Sequence, residues 1–73
     1  MHSYFFNLRL SYERCESLYR PDNISVVVLA DNGKRIRLPA KNLRPFVQRN
    51  GLQGRFRLLV TPENKIHSLE RIS

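Results

Sequence analysis

The tripeptide Asp31-Asn32-Gly33 most constrains how this chain can fold, because it is the strongest hairpin signal in the sequence. An Asn-Gly pair tolerates the positive φ of a tight turn. Residues 24–30 before it are apolar and largely β-branched, as in a central strand. Residues 34–38 after it alternate between cationic and apolar side chains. The pattern predicts two antiparallel strands. It leaves open whether the turn has two or three residues, and this length decides which face of the first strand the arginines share.

The segment before this hairpin predicts a strand followed by a short helix. Residues 4–10 alternate with a period of two, which is typical of a strand with one buried face. Ser11 can cap a helix, and Glu13 lies in the first turn, where the helix dipole favours an acid. Pro21 ends the helix, since the residue before a proline avoids the α region. The apolar stripe of this helix consists of Tyr12, Cys15, Leu18 and Tyr19.

The second half of the chain predicts a connector and two further strands. Residues 39–45 have a proline at each end and predict one turn of α- or 3₁₀-helix, with Leu43 pointing inward. The spacing of Gly51 and Gly54 suggests a bulge or a sharp bend. The other predicted elements are a short strand starting at Phe46-Val47, a turn at 48–51, a strand at 54–61, a loop at 61–65 and a last strand at 66–72.

Together these elements predict one domain over residues 1–73, mainly β with one short helix in the order β-α-β-β-β-β. Closure into a small SH3-like or Sm-like barrel is the favoured architecture, because it removes exposed edges. An open α+β antiparallel sheet with the helix on one face is the alternative. A chain this short buries only about 60% of its unfolded surface, so forming a homo-oligomer would stabilise it.

The composition of the chain indicates in which cellular compartment the protein is expected. The single cysteine excludes an intrachain disulfide, which fits a reducing cytoplasm. The N-terminus has no basic region of the kind that begins a signal peptide. No apolar run approaches the length of a membrane span. We therefore expect a cytoplasmic protein without a membrane partner.

The positive charge is concentrated in residues 31–57. This stretch holds eight of the 13 basic residues and one acid, Asp31, which accounts for the whole net charge of +7. Such a surplus concerns partners rather than fold, and it predicts nucleic acid as a partner; a solvated basic face is the simpler reading. Six of the eight are arginines, whose planar fork suits phosphate. The predicted nucleic-acid-binding residues are Lys34, Arg35, Arg37, Lys41, Arg44, Arg49, Arg55 and Arg57.

Four of these arginines occur in alternating pairs. Arg35 and Arg37 share one strand face, as do Arg55 and Arg57. If the two strands are neighbours, they form a platform of four guanidinium groups. Phe46 is the candidate for stacking on a base. The sequence shows no base-reading motif and does not distinguish DNA from RNA, so low sequence specificity is expected.

Residues that could support catalysis are few. His2 lies at a terminus, His67 lies in the last predicted strand, and Cys15 follows the apolar helical stripe, which indicates a packed thiol. No phosphate-binding loop, metal-spaced Cys/His set or triad pattern is present in the sequence. We therefore predict a non-enzyme without a metal or cofactor.

A different class of function also fits the sequence. The chain could be a protein-interaction adaptor or a small regulator that docks on an acidic protein partner, either as a monomer or as a homodimer. Its contact would then be an edge of the barrel or residues 43–46 (LRPF).

Several short motifs resemble those of one family. They are Tyr4-Phe5-Phe6, Leu38-Pro39-Ala40, LRPFV at 43–47, GRFRL at 54–58, and Asn64-Lys65-Ile66 with SLERI at 68–72. Together they resemble a family of short gammaproteobacterial proteins, a domain of unknown function of about this length. The resemblance spans nearly the whole chain and implies a stand-alone bacterial cytoplasmic protein. It implies no reaction and no particular binding residues.

Overall fold

A computed structural model describes residues 1–22 and 25–73 of the chain. The predicted order of strands and first helix is confirmed, and the predicted start of the second strand at Ile24 lies outside the described residues. The elements are β1 (His2–Leu10), α1 (Tyr12–Glu16), a 3₁₀ turn (Ser17–Tyr19), β2 (Ser25–Leu29), β3 (Arg35–Pro39), α2 (Ala40–Leu43), a second 3₁₀ turn (Arg44–Phe46), β4 (Leu52–Val60) and β5 (Ile66–Arg71).

Three strands form one antiparallel sheet in the order β1-β4-β5. The alternation of β1 turns Phe6 into the core, where it is fully buried opposite Phe56 of β4. The two rings stack with their centroids 5.6 Å apart. Full burial of a side chain of this size contributes about 1.5–3 kcal/mol. This pair therefore anchors β1 to the centre of the sheet.

Strands β2 and β3 form a separate two-stranded sheet. The loop between them has three residues, 31–33, because the N–H of Ala30 donates to the carbonyl of Lys34 at 2.9 Å. Gly33 has a φ of 86°, the left-handed position that such a loop requires. The tip of the hairpin adjoins β1, since the N–H of Asp31 donates to the Phe5 carbonyl at 2.8 Å.

Both sheets and both helices contribute to a single core. Val28 and Leu38 of the hairpin pack with the inner face of the three-stranded sheet. Leu18 and Leu43 come from the two helical segments, and the predicted inward orientation of Leu43 is confirmed. Each sheet buries one apolar face against the other elements, although Val27 and Leu29 stay exposed on the outer face of the hairpin.

Local chemistry explains the helical segments. The Ser11 side chain accepts a hydrogen bond from the Arg14 N–H at 3.3 Å and caps α1, as predicted. The turn of helix predicted for the connector at 39–45 is confirmed as α2 followed by a 3₁₀ turn, so the domain has two short helices where the predicted element order counted one. The short strand predicted at Phe46-Val47 is wrong, because Pro45 fixes a helical φ and Phe46 completes that turn.

Of the bulge and the sharp bend suggested for the two glycines, the bulge is not observed, whereas the chain turns sharply over residues 48–51 just before β4. Gly54 pairs with Leu8 in an uninterrupted register, and the irregularity in β4 lies between Leu59 and Val60. Gly51 lies where the chain passes very close to the backbone at the end of β1. A Cβ on it would lie 2.1 Å from the Leu10 carbonyl oxygen. Only glycine lets the chain pass the end of β1 at this distance.

The strands form two sheets in the described structure, so the predicted closed barrel is not observed. β3 and β5 each form an unpaired edge. β3 is only five residues long and ends at Pro39, which has no amide hydrogen to donate, and the chain then turns into α2. The mainly β architecture is confirmed, with an opening between these two edges.

Candidate nucleic-acid interface

The outer face of the β2–β3 hairpin holds the first pair of predicted binding arginines. The register places Arg35 opposite Leu29 and Arg37 opposite Val27. All four side chains are exposed. The three-residue loop thereby sets the face that the sequence left open, and the arginines point away from the core.

An open groove runs between β3 and β5, and we call it the β3–β5 groove. Its wider part has a volume of about 750 Å³, and a narrower part of about 270 Å³ extends toward the hairpin loop. Arg37, Asn64 and Ile66 line both parts, so the two are continuous. Its cationic side chains are Lys34, Arg35, Arg37, Lys41 and Lys65, with His67 beside them.

The charged side chains that line the described part of the β3–β5 groove are all basic. Among the described residues, no aspartate or glutamate lines it. The two ion pairs found in the described part of the chain involve other arginines. The five lysine and arginine side chains of the groove are therefore not neutralised by described carboxylates, and they are available to an anion from outside.

Two aromatic rings also line the groove. Phe46 is half-buried and meets Phe56 edge to face, with centroids 5.2 Å apart. Tyr4 is half-buried in the narrower part, and the Lys34 ammonium lies 5.8 Å from the centre of its ring. The stacking candidate Phe46 thus lies beside the groove cations.

The second pair of arginines lies elsewhere and is paired internally. Arg55 forms an ion pair with Asp31, a contact that raises the pKa of the Arg55 guanidinium. Arg57 pairs with Glu70 on β5 at 2.7 Å. Both belong to β4, which β1 and β5 flank, whereas Arg35 belongs to the other sheet. The predicted platform of four guanidinium groups is therefore not formed.

The two remaining predicted residues do not line the groove. The Nε of Arg44 donates to the Leu18 carbonyl at 2.8 Å, and its guanidinium lies 5.5 Å from the ring centre of Tyr19. This arginine ties the α2 connector to the first helical segment. Arg49 is exposed in the turn at 48–51.

Sequence reasoning missed Lys65, Tyr4 and His67 as groove residues. Lys65 belongs to a flank whose charges sum to zero, so the charge pattern offered no signal for it. Tyr4 follows the buried period of β1 and was assigned to the core. Only the position of β5 opposite β3 brings these side chains to one groove.

Cys15, one of the side chains considered for catalysis, is buried as a free thiol. Burial raises the pKa of the Cys15 thiol, which outweighs the opposing effect of a backbone hydrogen bond with Leu52. Among residues 1–22 and 25–73, no three His, Cys, Asp or Glu side chains cluster as metal ligands. In the same part of the chain, no helix has the length and apolarity needed to cross a bilayer.

The fold and groove define a small β-rich protein with an open cationic cleft between two sheet edges. Residues 2–72 match the family described as "Protein of unknown function (DUF2835)". The chain belongs to this family, so the expected membership of a family of unknown function that spans nearly the whole chain is confirmed. Neither a curated protein nor a solved structure matches the chain.

Proposed function

We propose that this protein is a non-catalytic module that binds nucleic acid with low sequence specificity through the β3–β5 groove. The observation behind the proposal is a continuous groove with five lysine and arginine side chains and no described acid along it. Phosphate neutralisation by such side chains supplies most non-specific affinity for nucleic acid. Long flexible cations provide that attraction without reading base edges.

Salt dependence follows directly from this mechanism. Each neutralised phosphate releases counterions, so the logarithm of the binding constant falls linearly with the logarithm of salt concentration. If four to five groove cations each contact one phosphate of a single strand, the slope is about −3. Binding is expected to be strong at about 50 mM salt and weak at about 200 mM.

The test is a salt titration followed by the anisotropy of labelled DNA and RNA oligonucleotides. The double variant R35Q/R37Q removes two groove charges, and R9Q/R14Q removes two exposed charges outside the groove. We expect R35Q/R37Q to lower affinity by tens of fold at about 50 mM salt and to flatten the slope by about 1.4. The control variant should keep the slope of the wild type.

Two outcomes would contradict the proposal. Absence of binding to any oligonucleotide by the folded protein at low salt would exclude nucleic acid as the ligand. Equal losses in R35Q/R37Q and R9Q/R14Q would show that net charge acts without the groove. Circular dichroism of each variant establishes that the fold is intact.

A second candidate function is docking of an acidic protein partner on the edge of β3. In the β2–β3 ladder the paired backbone groups alternate, so those of Arg35 and Arg37 point away from β2 and are open to an added strand. The other contact considered, residues 43–46, is less suited, because Leu43 is fully buried. Recovery of one acidic partner from a nuclease-treated pull-down would favour this alternative.

A further inference from the structure

We infer that the nucleic acid taken by the β3–β5 groove is single-stranded, with its bases against the apolar floor and its phosphates along the cationic rim. This inference rests on the proposed function and names the class of ligand. It follows from how apolar and charged side chains are distributed in the groove.

The floor and the rim of the groove differ in chemistry. The floor is apolar and consists of buried or half-buried side chains, whereas the arginines and lysines beside it are exposed. The apolar lining residues are Tyr4, Ile36, Pro39, Pro45, Phe46, Leu58, Val60, Ile66 and Leu69, of which Pro45 alone is exposed. A single strand has one apolar edge of bases and one edge of phosphates, so it can satisfy both surfaces at once.

The spacing of the rim arginines suits the phosphate backbone of a nucleic-acid strand. Alternate residues of a β-strand lie about 6.5–7 Å apart, so Arg35 and Arg37 present their guanidinium groups at roughly that interval. Successive phosphates of one strand are separated by a similar distance, so two neighbouring phosphates can each meet one arginine. Single strands and duplexes share this spacing, and the choice between them therefore rests on the apolar floor of the groove.

The bases of a single strand have faces that are open to new partners, and the groove contains two aromatic rings. Phe46 lies in the wider part and Tyr4 in the narrower part. Stacking of a base on an aromatic side chain tolerates any base, which agrees with low sequence specificity. A duplex keeps its base faces inside its own stack, so it could contact the rim but not these rings.

The decisive experiment compares four ligands of about 12 nucleotides on the wild-type protein: single-stranded DNA, single-stranded RNA, the matching duplex, and an abasic strand with the same phosphates. We expect the single strands to bind at least about ten-fold more tightly than the duplex. Loss of the bases should weaken binding at least five-fold, which is about the lower end for one stacked base. The relative affinities for single-stranded DNA and single-stranded RNA show which sugar is preferred.

The matched protein variants are F46L in the groove and F5L outside it. Leucine keeps an apolar side chain against Phe56, so the F46L protein retains its core packing while losing the ring face. Phe5 lies under Arg55, with 5.6 Å between guanidinium and ring centre. We expect F46L to weaken binding of the normal strand about five-fold and to leave the abasic strand unchanged, while F5L changes neither.

Failure of this inference can be told from failure of the proposed function. If the duplex binds as well as the single strands with a normal salt slope, or if the abasic strand binds equally, the single-strand inference is overturned and the proposed function stands. If no ligand binds, both are overturned. If F46L loses affinity for the abasic strand as well, Phe46 supports the groove rather than stacking on a base, and the inference is again overturned.

Discussion

The hairpin and the three-stranded sheet both present a pair of arginines two residues apart, but only the pair on the three-stranded sheet is bound in ion pairs. On the hairpin, Arg35 and Arg37 face the cross-strand neighbours Leu29 and Val27, which have no charge. On the sheet, the alternating pair at 55 and 57 is bound to carboxylates from the hairpin loop and from β5. The same sequence pattern thus yields one free cationic face and one neutralised face.

The difference shows that an acid nearby in the folded structure, either across the strand or on a neighbouring loop, decides whether an arginine is available to a partner. A surface ion pair contributes little to stability, because the Coulomb attraction is offset by solvation and side-chain entropy. It nevertheless cancels the field that would attract a phosphate. Arg57 pairs with Glu70 because the two are direct cross-strand partners. The charges that are available to an external anion are therefore the ones without an acid beside them.

The largest expected effect concerns whether the two sheets are one cooperative unit. Leu38 of the hairpin and Leu58 of the three-stranded sheet are both fully buried in the same core. We expect L38A and L58A each to lower the free energy of unfolding by about 2–5 kcal/mol. Each variant should unfold in a single transition when followed by urea and circular dichroism. If the hairpin of L38A unfolded first and the rest of the protein unfolded in a second transition, the two sheets would not be one cooperative unit.

A somewhat smaller effect distinguishes the two Asn-Gly turns. Gly51 at the start of β4 has a φ of 105° and no room for a Cβ beside Leu10. Gly33 at the hairpin tip has a φ of 86° with nothing within 4 Å of its Cβ position. We expect G33A to cost about 1–2 kcal/mol from backbone strain alone, and G51A to cost clearly more. Equal losses in chemical denaturation would contradict the packed role of Gly51.

A moderate effect on binding tests the residue that the charge pattern missed. K65Q removes one groove cation contributed by the loop before β5. The salt slope for a single strand should fall by about 0.7, with a several-fold loss of affinity at about 50 mM salt. R14Q, which removes an exposed charge on α1, is the control. An unchanged slope in K65Q would remove the β5 side from the interface.

The smallest expected effect separates binding from stability in the two arginine pairs. R55Q/R57Q breaks both described ion pairs and should lower the thermal unfolding midpoint by no more than a few degrees, with the salt slope for oligonucleotides unchanged. R35Q/R37Q should show the reverse pattern. A flattened slope in R55Q/R57Q would mean that the ion pairs open to admit phosphate.

Much of the local structure could be predicted, because its causes lie within a few residues. Period-two alternation indicated β1, Ser11 predicted the helix start, and the Asn-Gly pair predicted the hairpin. The separation of the strands into two sheets could not be predicted from such local patterns. It depends on β3 ending at Pro39 and leaving its edge unpaired, which involves the position of β5 far along the chain.

The candidate site was predicted in part. The sequence located the arginines of β3 within the cationic stretch, and the structure puts them at the groove together with Lys34 and Lys41. It could not exclude Arg55, because Asp31 is distant from it in sequence and becomes its neighbour only when the hairpin tip packs on β1. Lys65 and Tyr4 were missed because their place at the groove also depends on strands that are distant from each other in the sequence.

By itself, the sequence determined a strongly basic, mainly β chain with a tight hairpin, since periodicity and turn chemistry act over a few neighbouring residues. The tertiary structure alone decided which cations are free and which aromatic rings lie beside them. The physical reason is that neutralisation is a contact between side chains a few ångströms apart, and such contacts form here between strands that are remote along the chain.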